Sequence, residues 1–172
     1  MFRLRKRKKP NKIIVLLDFE NLFLSFGPST SIVETLNRVL EQIKKEVGEI
    51  ACVFVFFPHH SAISFGEAFQ KTGFYPILTP KSKTGEREKV DTTDEILIKF
   101  GKMILKEMTK ITHFCLGSGD KHFVPLLKNA SRAGLSRIII TANTSSLASE
   151  LIGYADRKPG SQERMIYFLS KK

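Results

Sequence analysis

Cysteine is scarce in this 172-residue chain: Cys52 and Cys115 both sit inside apolar runs, and two such residues make no disulfide framework. No Cys/His spacing suits a zinc site. No apolar stretch approaches the ~20 residues of a membrane-spanning helix. The first run, Ile13–Leu17, stops after five residues at Asp18, short of the ~7–15 of a signal-peptide core. These absences argue against a disulfide-stapled secreted module and a membrane protein, and lead to the expectation of a soluble, cytoplasmic chain. Internal repeats and linkers are missing too, so one folded domain is expected. Acids are in deficit, with 17 Asp and Glu against 28 Lys and Arg and a formal net charge of +11. That excess points to a polyanionic partner, nucleic acid ahead of an acidic membrane surface.

The positive charge is uneven. Seven cations (Arg3, Arg5, Lys6, Arg7, Lys8, Lys9 and Lys12) fall in the first twelve residues with no acid among them, and taking seven from the +11 leaves +4. Residues 1–11 read as a basic flexible arm, either simply solvated or holding phosphates without reading sequence. Residues 12–172 read as the domain, with an ordinary 42% hydrophobic content and enough length to bury a core.

Within the domain, short apolar runs alternate with longer periodic segments. Ile13–Leu17, Ile50–Phe57, Tyr75–Leu78, Thr112–Leu116 and Arg137–Thr141 read as buried strands, and Met165–Leu169 as an edge strand. Helical spacing marks Ile32–Val47, Ser61–Thr72, Thr92–Met108, Phe123–Ala133 and Leu147–Tyr154, with Gly48, Gly73 and Gly134 as stops. Thr79–Lys89 reads as a polar loop. Strands apolar throughout and joined by helices imply an α/β fold whose parallel sheet is covered on both faces. Working residues in such folds lie at the C-terminal ends of strands, and the first and fourth strands are candidate neighbours at the switch point.

Acids occupy three of those ends: Asp18 in "VLLDFEN", Asp91 and Asp94 in "KVDTTDE", and Asp120 in "LGSGDKH". Carboxylates gathered in one crevice repel, and a divalent cation is their natural counter-charge. Oxygen ligands select Mg²⁺ or Mn²⁺ over zinc. Each acid also has a plainer role. Asp91 suits an N-cap with Asp94 three residues on, and Asp120 suits a turn. Asp18, directly after five buried residues, is harder to dismiss, because a desolvated carboxylate needs a partner. Asn21 is either a turn residue or an amide that holds a phosphate oxygen, a water or a neighbouring carboxylate. A phosphatase or phospho-receiver site also places a carboxylate after the first strand. Here, however, the residue two beyond Asp18 is Glu20, a poor fit to the usual phosphatase loop.

Together, "LLDFENL", "KVDTTDEILIKF", "GSGDKHFVPLLKNASRAG" and "SELIGYAD" resemble the NYN domain, a branch of the PIN-like nuclease superfamily, from about Lys12 to Leu169. The resemblance implies a three-layer, Rossmann-like αβα sandwich with a central, mostly parallel sheet. It also implies a metal-dependent ribonuclease, with Mg²⁺ or Mn²⁺ held by Asp18, Asp91 and Asp120, and with Asn21 and Ser118 supporting ligands or substrate. Lys81, Lys83, Arg87 and Lys89, in the loop that feeds Asp91, would then position RNA. Asp156 matches the last motif in a structural role, holding the final helix.

Two departures stand out against that family. His122 takes the place where many relatives carry a second Asp two residues after the one matching Asp120. Leu97 and Ile98 lie where relatives often carry an acid, for which Asp94 or Glu95 could substitute. His122 therefore has three readings: a metal ligand, a contact to the scissile phosphate, or a helix cap. The same departures raise an alternative function, a catalytically weak or inactive RNA-binding module. Phe19, Phe23 and Phe26 are either base-stacking surfaces or core. His59 and His60 read as solvated loop residues and His113 as structural. One chain's sequence assigns no homodimer or protein partner.

Overall fold

The computed structural model describes residues 10–26, 32–80 and 92–170, apart from the side chains of 60, 62 and 63. Strand β1 (Lys12–Asp18) pairs in parallel with β2 (Glu49–Pro58) on one side and β4 (His113–Gly117) on the other. Outside them lie β3 (Tyr75–Thr79), β5 (Ser136–Thr141) and β6 (Ile166–Phe168). The sheet order is β3-β2-β1-β4-β5-β6 and every pairing is parallel. The first and fourth strands are neighbours, as expected from the chain order.

Alternation along β1 explains why its residues are apolar without a break. Ile13, Val15 and Leu17 face helices α1 (Phe19–Phe26), α2 (Ile32–Glu46) and α3 (Ala62–Lys71), meeting Phe19, Leu22, Leu36, Leu40 and Phe69. Ile14 and Leu16 face the opposite layer of α4 (Thr92–Glu107), α5 (Val124–Arg132) and α6 (Ser149–Ile152), through Leu97, Ile104, Leu126 and Leu151. Side chains on both faces of β1 are thus removed from water, at about 1.5–3 kcal/mol for each large aliphatic one. The result is a three-layer αβα sandwich.

No element is expected from the sequence at Phe19–Phe26, where helix α1 follows β1 without a loop. Phe19, Leu22, Phe23 and Phe26 do recur at helical spacing, but the run is brief and shows no capping residue other than the aspartate already assigned to the strand. Phe19 is buried among Phe23, Phe57, Phe65 and Phe69, with ring centroids 4.8–6.2 Å apart. Phe23 and Phe26 pack against the same core, so these rings form core rather than a base-stacking surface. The polar loop begins one residue later than expected, because Thr79 ends β3 and is buried. Helix α6 is four residues rather than eight.

Asp91 and the basic residues Lys81, Lys83, Arg87 and Lys89 lie outside the described residues, as does nearly all of the N-terminal arm. Among the described residues no helix is long and apolar enough to cross a membrane. Cys52 and Cys115 are free thiols.

Candidate metal centre

The strand order reverses direction between β1 and β4, which opens a crevice at their carboxyl ends. Asp18 is the last residue of β1 and is only 4% exposed. Its Oδ1 accepts a hydrogen bond from the backbone N–H of Asn21 at 3.3 Å, which caps α1. Its Oδ2 accepts from the Ser118 hydroxyl at 3.1 Å. The same hydroxyl oxygen accepts the Asp120 backbone N–H at 3.2 Å, and the Asn21 side-chain oxygen accepts the Gly119 N–H at 3.1 Å. Ser118 and Asn21 therefore stitch the turn after β4 to the end of β1, holding Asp120 a fixed step from Asp18.

Asp120 does what a turn residue does. It is the N-cap of the 3-10 turn Lys121–Phe123, its Oδ1 accepting the His122 N–H at 2.9 Å. Its carboxylate also meets two other side chains. Asp94 in the first turn of α4, Asp120 and His122 bring one donor atom each to within 4.8 Å of one another. The His122 Nδ1 is 3.3 Å from Asp120 Oδ1 and 3.8 Å from Asp94 Oδ2. The two carboxylates are about one-third exposed or less while the imidazole is 67% exposed, so the group opens to solvent. Of the two substitutes considered for the missing helix acid, Asp94 joins this group, whereas Glu95 pairs with Lys99 at 3.8 Å on the exposed side of α4.

The surroundings include residues that carry no signal of a site in the sequence. Thr79 at the end of β3 and Thr93 in α4 share a buried hydroxyl–hydroxyl bond of 2.7 Å, which anchors the helix start that carries Asp94. On the other side the segment after β5 folds down on the turn. Ser146 binds Thr141 at 2.9 Å and donates to the Asn143 carbonyl at 2.9 Å, and Asn143 Nδ2 donates to the Ser25 carbonyl at 3.0 Å. The Ala148 N–H donates to the Gly119 carbonyl at 2.9 Å. A Cβ on Gly119 would overlap the Ser146 carbonyl oxygen and lie 2.7 Å from its carbon, so only glycine fits here. The dense Asn/Ser/Thr composition of "TANTSS" was the available signal, since such side chains build their own turns.

Other candidates stand apart from the centre. The Asp156 carboxylate accepts from Arg137 Nη2 at 2.7 Å, Nε at 2.9 Å and backbone N–H at 2.8 Å. Burial opposes its ionisation, but these bonds hold its carboxyl below the usual range. The role is structural as expected, although the element held is the start of β5 rather than the last helix. His113 is buried, its Nδ1 2.8 Å from the Thr112 hydroxyl, and burial pushes its pKa down against the pull of Asp156. His59 lies exposed in a 3-10 turn after β2.

Comparison with known proteins agrees with this architecture. A protein of unknown function from Vibrio parahaemolyticus matches at a TM-score of 0.72, with 14% identity, over 96% of this chain and 97% of that one. An oxidoreductase from Thermotoga maritima is matched at a TM-score of 0.38 and 14% identity, over 92% of this chain and 37% of that one, too distant to carry an argument. No curated protein matches. The NYN domain profile matches residues 12–158, most of the chain and all of the elements that build the centre, from β1 through α6. The chain belongs to the NYN domain family.

Proposed function

We propose that the chain is a metal-dependent ribonuclease that cleaves RNA phosphodiester bonds at the crevice between β1 and β4. The observation that carries this reading is the meeting of Asp94, Asp120 and His122 donors within 4.8 Å, one serine hydroxyl away from Asp18. The donor set fits a divalent cation: a carboxylate from α4 meets a carboxylate and an imidazole from the turn after β4, on a partly exposed face. Asp18, Asp120 and Asp94 would hold Mg²⁺ or Mn²⁺ together with Asp91 and His122. When bound there, a divalent ion would supply a water of lowered pKa and positive charge to balance the negative charge developing on the phosphate and the leaving oxygen.

The chain's own groups supply orientation. Ser118 and Asn21 keep the turn and the carboxylates in register, so little reorganisation is required when substrate arrives. Lys81, Lys83, Arg87 and Lys89 would take phosphates of the RNA backbone, and the N-terminal cations would add affinity that weakens with salt. The test is hydrolysis of labelled RNA with Mn²⁺ or Mg²⁺. Loss of cleavage in EDTA and in Asp18→Asn is expected, and cleavage that survives both overturns the proposal.

A second reading is an RNA-binding module that no longer cuts, and His122 in place of a carboxylate is the observation in its favour. Tight RNA binding with no cleavage in either metal, across several RNAs, selects it. Cleavage gained in His122→Asp would show that this position limits turnover.

A further inference from the structure

We infer that His122 makes the centre select transition-metal ions, Mn²⁺ among them, over Mg²⁺. The inference rests on the proposed function for the place of the site, and not for the reaction carried out there.

Around an octahedral ion with bonds near 2.1 Å, neighbouring donors lie about 3.0 Å apart and opposite donors about 4.2 Å apart. The His122 Nδ1 stands 3.3 Å from Asp120 Oδ1 and 3.8 Å from Asp94 Oδ2, between those two separations. With the third pair also within 4.8 Å, shifts of under about 1 Å would seat the two carboxylates opposite each other with the imidazole, 67% exposed, beside both.

The ring is also held by its backbone rather than by its side chain. The His122 N–H donates to Asp120 Oδ1 at 2.9 Å, so the residue's Cα is placed by the cap and the Nδ1 edge faces the carboxylates. A carboxylate oxygen has two lone pairs, so capping leaves Asp120 able to ligate.

Donor chemistry decides the rest. Mg²⁺ prefers oxygen and keeps its waters, whereas imidazole nitrogen suits first-row transition metals, whose affinity for such sites rises from Mn²⁺ through the later ions. Replacing one of three oxygen donors by imidazole costs Mg²⁺ more than Mn²⁺. The third donor also lowers the negative charge of the site by one relative to a carboxylate, which weakens the electrostatic hold on the harder ion most.

The test uses the full chain and the metals alone, without RNA. Mn²⁺ binding is followed by loss of the free-ion electron paramagnetic resonance signal, and Mg²⁺ by competition. Nitrogen coupling to bound Mn²⁺ is read by pulsed methods. Wild type is expected to show imidazole nitrogen coupling and a clear preference for Mn²⁺. In His122→Asp the coupling disappears and the Mn²⁺-to-Mg²⁺ affinity ratio falls by ~10-fold, on the scale of ligand-shell substitutions. His122→Ala loses the coupling and binds Mn²⁺ more weakly, and its circular dichroism, expected to match wild type, keeps folding out of the comparison. An unchanged affinity ratio in His122→Asp, Mn²⁺ bound without nitrogen coupling, or no binding of either ion overturns the inference. Selective Mn²⁺ binding by a chain that cuts no RNA supports the inference and sinks the ribonuclease reading instead.

Discussion

Removing one hydroxyl from Ser118 should damage the centre and the fold together. Ser118 is fully buried. Its Oγ donates to Asp18 Oδ2 at 3.1 Å and accepts the Asp120 N–H at 3.2 Å, so a single atom joins the ends of β1 and β4. In Ser118→Ala the carboxylate loses a buried donor, worth about 1.5–3 kcal/mol for a charged acceptor, and the Asp120 amide loses a neutral one worth about 1 kcal/mol. The expected destabilisation is therefore roughly 2–4 kcal/mol, since water has little room to take the place of either partner. Urea unfolding followed by circular dichroism reads this as a midpoint lower by about 1–2 M for a domain of this size. The same substitution frees the turn that carries Asp120, so Mn²⁺ affinity should fall at least ~10-fold, as it does when outer-shell partners of a ligand are lost. A double-mutant cycle with Asp18→Asn isolates the shared part, and the two losses should be strongly non-additive. A cost below about 0.5 kcal/mol, with additive effects, would show that the serine merely fills space and that the stitch is not what holds the acids together.

Gly119→Ala should be as harmful by a different route, because its Cβ meets the Ser146 backbone rather than a movable side chain. We expect a loss of about 2–4 kcal/mol in the same urea assay and weaker metal binding, whereas a near-neutral result would show that the 142–148 segment shifts freely. Phe19→Ala empties the centre of an aromatic cluster and should cost about 3–5 kcal/mol, read in the thermal midpoint without any RNA present. Acid sensitivity follows from two carboxylates. Glu46 is held below its ordinary 4.5 by the Gln42 amide, against burial, with help from Tyr167 and Lys158. Asp156 is held below its ordinary 3.8 by Arg137 although burial opposes it. Both are more readily ionised folded than unfolded, so their stabilisation is complete above those ordinary values and is lost as the pH falls through the folded ones. Urea midpoints measured from pH 7 down to pH 3 should drop most steeply below about pH 4.5, and Glu46→Gln should flatten that slope.

Much of this molecule can be read along the chain because burial on two faces leaves a plain mark. Strands β1, β2, β4 and β5 are apolar on consecutive residues, which only a sheet covered on both sides requires, and the glycines after the helices stop them where the structure does. The adjacency of the first and fourth strands followed from the same logic, and with it the place where Asp18 and Asp120 approach. Helix α1 escaped notice because it begins on the residue after a strand and its cap is the very aspartate that reads as a site residue. Thr79 and Thr93 escaped because two hydroxyls that satisfy each other between a strand and a helix leave no pattern in sequence.

Charge balance, the succession of strands and helices along the chain and the strand-end acids are properties of local composition and period, and are legible there. Which carboxylates meet is a matter of angles between elements far apart in the chain. Asp94, Asp120 and His122 share one point because α4 is pinned at Thr93 and the turn after β4 is pinned at Ser118 and Gly119. The histidine in "SGDKHF" looked like a departure from a pattern; its approach to Asp120 is local, through the cap, and the placement of α4 is what adds Asp94. Donor geometry is set by tertiary contacts at the scale of tenths of an ångström, a scale on which residue spacing along the chain carries no information.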